Sequence, residues 1–405
     1  MGYIGRTPTG SILTGADIAD GSISTAKLAD TAVSTAKIAD DAVTNSKTAF
    51  NDVPFRNLII NGDMSIAQRG TQAVGGSTGL HYGGCDRLRV YQETTASAYT
   101  LSQDTNVPTA QGFAKSFKLD VTTADTSLTA GDRVDLIYRF EGQELQHIKK
   151  GTSSAESLTL SFWVSSPKTG THIVELFDSD NTRQISKSYT VSSANTWEKK
   201  TITFEGDTSG SLNNDNNLSL QISWWLMAGS YYTSGTLSTS WSSNTNANRA
   251  VGQVNVMDST SNNFYLTGVQ LEVGTSASDF EFIPYDVNLM RCQRYYEKSY
   301  SYATAPGTNT YVGTTRFNGS TDASSNMVVC IEYATQKRTF PTQTYYTPSG
   351  TSGSWNIVRS GSSGTATANN YNHNETKLNA YFTFGASHNF ANGYVEGQWT
   401  ADAEL

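Results

Sequence analysis

Aromatic side chains set among small polar residues are the residues of this sequence best suited to bind a ligand. Alternation along the segment 218–226 places Trp224 on an apolar face and Trp225 on a face shared with Ser and Gln. Trp163 likewise shares a face with Ser and Thr, and three further rings lie in a Gly/Ser/Thr-rich stretch that predicts a long loop. An exposed ring in such surroundings can stack on the C–H face of a polar ligand such as a sugar. The candidate binding residues are Trp163, Trp225, Tyr231, Tyr232 and Trp241.

The same aromatic residues have a structural alternative. Both faces of a sheet have to be covered, and contacts between subunits would use the same rings. The sequence leaves both the binding and the structural interpretation of these aromatic residues open.

Several carboxylates could in principle take part in glycoside cleavage. That reaction uses two carboxyl groups at a set separation, which a sequence does not measure. The individually plausible acids are Glu272, Glu281, Glu297, Glu332 and Glu396. No local motif selects a pair, and the sequence has no GxSxG elbow, HExxH motif, Walker loop or dinucleotide fingerprint. We therefore predict no catalytic residues and expect a protein that is not an enzyme.

Histidines and cysteines show no metal-ligand spacing. The five histidines are scattered, and Cys85, Cys292 and Cys330 lie far apart without a CxxC motif, so neither a zinc site nor a disulfide framework is indicated. A calcium-loop opening begins at Asp178, but its twelfth position is Tyr189, where a bidentate Glu is required. We assign no metal and no cofactor, and expect free thiols.

The elements that must position these residues are short antiparallel strands. Apolar and polar residues alternate strictly in 157–164 and 218–226, which indicates strands with one face on a core. Further strands are predicted at 264–273, 342–346, 354–358, 378–384 and 394–400. The fold class is mainly β: a repetitive fibrous N-terminal segment, a jelly-roll-like β-sandwich and a second small C-terminal antiparallel β-domain. The predicted boundaries are 1–50, 51–287 and 288–405.

The N-terminal segment contains a repeat whose period fits neither a lone helix nor a lone strand. Aliphatic residues recur every five positions. In a helix, each would lie about 140° around the axis from the one before, and in a strand, successive ones would lie on opposite faces. Such a segment cannot bury its anchors alone, so we expect it either to stack on itself or to wind with identical chains. The residues predicted to face a three-chain axis are Leu13, Ile18, Ile23, Leu28, Val33, Ile38 and Val43.

Composition excludes several classes of function. The formal net charge is −8, and charged residues make up 16% of the chain against about 25% in typical domains, which argues against binding to a nucleic-acid backbone. Neither a signal peptide nor an apolar run of about 18 residues is present. We expect the protein to be made and assembled in a cytoplasm, or to be exported by a route that the sequence does not reveal.

Several sequence blocks resemble a known family. The segments 57–64 (NLIINGDM), 268–274 (GVQLEVG) and 292–299 (CQRYYEKS), together with the terminus 397–405, resemble recurring blocks of bacteriophage tail-fibre proteins. The repeat at 18–47 is similar to shaft segments placed before such domains. Segments 57–64 and 264–269 are also similar to the first and last strands of jelly-roll carbohydrate-binding modules.

This resemblance implies a homotrimeric fibre protein of the phage virion, assembled in the host cytoplasm. Its N-terminus would attach to tail adaptor or nozzle proteins, and its distal β-domains would bind a host-surface receptor, with a glycan as the leading ligand over an outer-membrane protein. Two alternatives remain: a purely structural tail or adaptor component without receptor contact, and a fibre-borne polysaccharide depolymerase.

Overall fold

The chain divides into two compact units, Met1–Val53 and Pro54–Leu405. The computed structural model describes residues 55–76, 78–318, 326–359, 362–370, 373–383 and 393–405. The seven aliphatic residues predicted to face a three-chain axis, from Leu13 to Val43, lie outside the described residues. The domain boundaries predicted at residues 50 and 287 stay predictions.

Two antiparallel sheets form the first part of the second unit. The six-stranded sheet has the order β1-β4-β5-β13-β7-β10 and the seven-stranded sheet the order β12-β9-β8-β11-β6-β3-β2. The strands are β1 Gln72–Gly75, β2 Gly79–Tyr82, β3 Arg89–Glu93, β4 Ala98–Asp104, β5 Ser116–Thr123, β6 Arg133–Glu141, β7 Leu158–Ser165, β8 Gly170–Asp178, β9 Arg183–Val191, β10 Glu198–Phe204, β11 Leu218–Ala228, β12 Ser242–Ser243 and β13 Asn263–Val273.

A single hydrophobic core lies between these sheets, because the apolar positions of each strand point toward the facing sheet. Phe162 of β7 and Trp224 of β11 meet edge to face at 5.9 Å between ring centroids, and both are buried. Phe117, Leu136 and Leu176 belong to the same cluster. The predicted β-sandwich and the core position of Trp224 are confirmed.

A third antiparallel sheet completes the unit. Two α-helices among the described residues, α1 Ser230–Thr233 and α2 Tyr285–Gln293, precede it. The strands are β14 Tyr296–Lys298, β15 Thr315–Asn318, β16 Asn326–Glu332, β17 Thr342–Tyr346, β18 Ser354–Arg359, β19 Ser362–Asn370, β20 Lys377–Thr383 and β21 Tyr394–Asp402. The order is β14-β21-β18-β19-β20-β16, with β15 and β17 also paired to β21. Its core is a separate cluster around Trp355, which confirms the predicted antiparallel β-structure of this part of the chain.

Candidate functional site

Trp225 lies in the protein interior, which corrects the expectation that it is exposed. Its side chain is 0% exposed, and it packs in a second apolar cluster with Ile173 and Tyr232 on the outer face of the seven-stranded sheet. The connection between β11 and β13, which includes α1, covers this face. The polar neighbours of Trp225 along β11 therefore do not indicate exposure to solvent, because both faces of this sheet are covered by other parts of the protein.

Two buried ion pairs surround the Trp225 ring. Arg133 bonds to Asp135 at 2.7 and 2.9 Å, and Arg249 bonds to Glu175 at 2.8 and 2.9 Å. The guanidinium carbons lie 4.6 and 5.2 Å from the Trp225 ring, whose Nε1–H donates to Glu175 at 3.3 Å. Each charged side chain here has an oppositely charged partner. These contacts therefore hold the β11–β13 connection against the seven-stranded sheet.

Tyr231 and Tyr232 continue this aromatic stack toward the surface. Tyr232 lies 5.2 Å from Trp225 and donates from its hydroxyl to Glu93, whereas Tyr231, 5.2 Å from Tyr232, is 54% exposed. Burial and the bond to Glu93 raise the pKa of Tyr232 to about 12, against the lowering effect of Arg133, so its phenol stays protonated. The structure thus brings three predicted residues together, and only Tyr231 presents its ring to solvent.

Trp163 and Trp241 are half-buried and lie on different elements. Trp163 is in β7 opposite Lys199, on the six-stranded sheet. Trp241 is in the β11–β13 connection, where its Nε1–H donates to the Glu205 carbonyl at 2.8 Å. Lys150 Nζ lies 5.1 Å from the Trp241 ring, and both residues line a small cavity with Asp207. Trp241 is therefore the predicted ring that stands beside a concave surface.

A second, larger concave surface shares Lys150 with that small cavity. It is a groove between two strand connections, 142–157 and 205–217, and we call it the loop groove. It has a volume of about 350 Å³, within the range of about 300–1,000 Å³ typical of small-ligand pockets. Its lining residues are Leu145, Gln146, Lys149, Lys150, Thr152, Ser211 and Leu212. The lining of the loop groove thus combines hydroxyl, amide and ammonium groups with the apolar side chains of two leucines.

Lys150 ties the two walls of the loop groove together. Its buried ammonium bonds to Asp178 and to the carbonyls of Ser209 and Gly210, and lies 3.0 Å from Asp207. Burial alone would raise the pKa of Asp207, but hydrogen bonds from Arg183 and Lys150 bring that pKa below its usual value. The carboxylate consequently stays charged and holds the ammonium in place.

Further bonds set the shape of the loop groove. The Gly151 amide donates to the Asp207 carbonyl at 2.8 Å, and the Gln146 side chain donates to the Asn213 carbonyl at 3.1 Å. These bonds join residues about 60 positions apart, so sequence reasoning missed the lining residues. Trp241, whose ring lies near Lys150, was the nearest residue that the sequence had singled out.

The described residues offer no metal centre and no membrane-spanning helix. Within the described ranges, no group of three or more His, Cys, Asp or Glu side chains is placed to hold a metal ion. No helix in the same part of the chain is long and apolar enough to cross a membrane. Cys85, Cys292 and Cys330 are free thiols, the first two buried and the third exposed.

Comparisons with known proteins gave distant structural similarity alone. No protein-family model matches the chain, and no curated protein matches its sequence. Similar solved structures include the enzymatically active domain of tailspike protein 4 of bacteriophage CBA120, at 13% identity and a TM-score of 0.27. That match covers 55% of this chain and 22% of the tailspike chain.

Two carbohydrate-binding modules are also similar. The family 11 module of the cellulase Lic26A-Cel5E of Clostridium thermocellum is 12% identical with a TM-score of 0.26, over 50% of this chain and 99% of the module. The module TmCBM61, in complex with β-1,4-galactotriose, is 10% identical with a TM-score of 0.25, over 54% of this chain and 99% of the module.

Proposed function

We propose that this chain is the subunit of a homotrimeric phage tail fibre that binds a host-surface glycan through its β-sandwich. The N-terminal segment would attach to tail adaptor or nozzle proteins, and the protein would be part of the virion. The proposal draws on the tail-fibre resemblance of the sequence blocks and on the five-residue repeat. Its glycan-binding part depends on the geometry of the loop groove.

The observation that carries this proposal is the half-buried Trp241 ring, which lies 5.1 Å from the ammonium of Lys150, a lining residue of the loop groove. A sugar ring would place its C–H face against the exposed part of the indole, which the bond to the Glu205 carbonyl holds in one orientation. Sugar hydroxyls would then bind Gln146, Thr152 and Ser211 along the groove. Because Lys150 joins both walls, the groove is formed before the ligand arrives.

Titration of the full chain with oligosaccharides released from host envelope polysaccharide tests this site. Trp241→Ala should weaken binding about tenfold, because aromatic stacking contributes up to about 1.5 kcal/mol beyond area burial. The matched control is Trp197→Ala, which removes another half-buried indole whose Nε1–H bonds to Asn106. Equal loss in the two variants would contradict the loop groove as the site, and no binding by the unmodified chain would favour a purely structural tail component.

We further propose that binding occurs without cleavage. Four of the five candidate acids have structural partners: Glu272 bonds to Ser278, Glu281 to the Phe55 and Asn57 amides, Glu297 to Lys337, and Glu396 to Arg316. These contacts give the four carboxylates roles in the fold. Incubation with the same polysaccharide should release no new reducing ends, and clear release would support a depolymerase instead.

A further inference from the structure

The two walls of the loop groove carry more negative than positive charge. The connections 142–157 and 205–217 contain two lysines and no arginine, against five carboxylates. The lysines are Lys149 and Lys150, and the carboxylates are Glu144, Glu156, Glu205, Asp207 and Asp215. A further carboxylate, that of Asp180, accepts from the backbone amide and the side chain of Asn213 in the second wall, at 2.9 and 3.0 Å. A ligand in this groove therefore meets an excess of carboxylates.

The ammonium of Lys150 is fully used within the protein. An ammonium group donates three hydrogen bonds, and that of Lys150 donates to the Asp178 carboxylate and to the carbonyls of Ser209 and Gly210. The carboxylate of Asp207 lies 3.0 Å from the same nitrogen. The positive charge of Lys150 is therefore already compensated before a ligand arrives.

Two further donors in the lining of the loop groove are also engaged. Lys149 donates to the Glu156 carboxylate at 2.6 Å. The side-chain nitrogen of Gln146 donates to the carbonyls of Gly142 and Asn213, at 2.9 and 3.1 Å. Ionised carboxylate and phosphate groups only accept hydrogen bonds, whereas a sugar hydroxyl both donates and accepts. The lining therefore suits hydroxyl groups better than anionic groups.

We infer that the loop groove selects an uncharged glycan and rejects glycans that carry carboxylate or phosphate groups. This inference rests on the proposed glycan-binding function and adds the class of ligand. An anionic group in the groove would lose hydration without gaining an unpaired cation, and it would lie beside like charges. An uncharged sugar ring meets neither penalty.

Titration of the full chain with two pools of ligand tests this selection. Oligosaccharides released from host envelope polysaccharide are separated by anion exchange into an uncharged pool and an acidic pool, and each pool is titrated separately. The uncharged pool should bind, and the acidic pool should bind about tenfold more weakly or worse, because its charged groups find no partner. The difference should narrow as the salt concentration rises, since salt screens the repulsion from the carboxylates.

Glu156→Gln tests the role of charge directly. The change leaves the Lys149 ammonium without its carboxylate, so the affinity for the acidic pool relative to the uncharged pool should rise about fivefold. The matched control is Asp120→Asn, which releases Lys118 from another partly exposed ion pair, within β5 of the six-stranded sheet. The control should leave the relative affinity unchanged.

Two outcomes would overturn the inference. One is tighter binding of the acidic pool than of the uncharged pool by the unmodified chain, and the other is a relative affinity that rises no more in Glu156→Gln than in Asp120→Asn. If Trp241→Ala weakened tight binding of the acidic pool, the inference would be wrong while the proposed binding site stood. No binding of either pool would contradict the proposed function together with the inference.

Discussion

At the scale of single residues, the neighbouring tryptophans Trp224 and Trp225 show what alternation can and cannot determine. Alternation placed them correctly on opposite faces of β11, and Trp224 is in the sandwich core. It did not determine exposure, because Ser223 and Glu175 on the outer face are also fully buried. A polar face can be covered when each charge has a partner, as the pairs with Arg133 and Arg249 demonstrate.

A second residue-scale comparison comes from the adjacent lysines of the loop groove. Lys150→Met removes a buried ammonium from Asp178 and Asp207 and should lower the free energy of unfolding by about 3–5 kcal/mol, because the carboxylates lose their partner. Lys149→Met removes an exposed pair with Glu156 and should cost at most about 1 kcal/mol. Urea unfolding measures both, and equal losses would contradict the role given to Lys150.

At the scale of elements, the connections carry the candidate site and the strands hold them in position. The connections 142–157 and 205–217 form the groove walls, and the β11–β13 connection both supplies Trp241 and covers Trp225. Strand β13 has a register shift between Thr267 and Gln270, where it pairs with β7. Gly268 lies within this bulge at φ +59°, a conformation that favours glycine.

The bulge allows an element-scale prediction. A Cβ at position 268 would lie 2.6 Å from Phe113 and 3.0 Å from Trp163, so Gly268→Ala combines a clash with an unfavourable φ. We expect a loss of about 1–3 kcal/mol in unfolding free energy. The control is Gly364→Ala in β19, where nothing lies within 4 Å of the added atom, and the change should stay within about 0.5 kcal/mol. Thermal unfolding of both variants checks this, and a stable Gly268→Ala would contradict it.

At the scale of the whole second unit, buried ion pairs join the third sheet to the sandwich. Glu404, which follows β21, bonds to Arg69 and Arg87 of the sandwich, and Arg294 bonds to Glu141 at the end of β6. Arg338 donates to the carbonyls of Asn216, Ala403 and Glu404. These long-range bonds make Pro54–Leu405 one compact unit although its strands form separate sheets.

The ion pairs between the third sheet and the sandwich, which we call the junction, give a prediction for the cooperativity of unfolding. Glu404→Gln leaves the Arg87 guanidinium buried without its carboxylate. We therefore expect the free energy of unfolding to fall by about 3 kcal/mol, and the third sheet to unfold separately from the sandwich. Glu332→Gln, at an exposed position of β16, should change neither the free energy of unfolding nor the cooperativity of unfolding. Urea unfolding followed by far-UV circular dichroism and by tryptophan fluorescence tests this, and coincident transitions in Glu404→Gln would argue against the junction.

The sequence by itself determined the mainly β fold class and the strands with strict alternation, because alternation with period two is a local property of neighbouring residues. Segments 157–164 and 264–273 became β7 and β13 for that reason. The binding role predicted for Trp241 stays a prediction. The repeat from Leu13 to Val43 and its three-chain axis stay predictions, since those residues lie outside the described ones. Only the tertiary structure decided the burial of Trp225 and the joining of Lys150 to Asp178 and Asp207. These features depend on contacts between residues far apart in the chain, and no local pattern encodes such contacts.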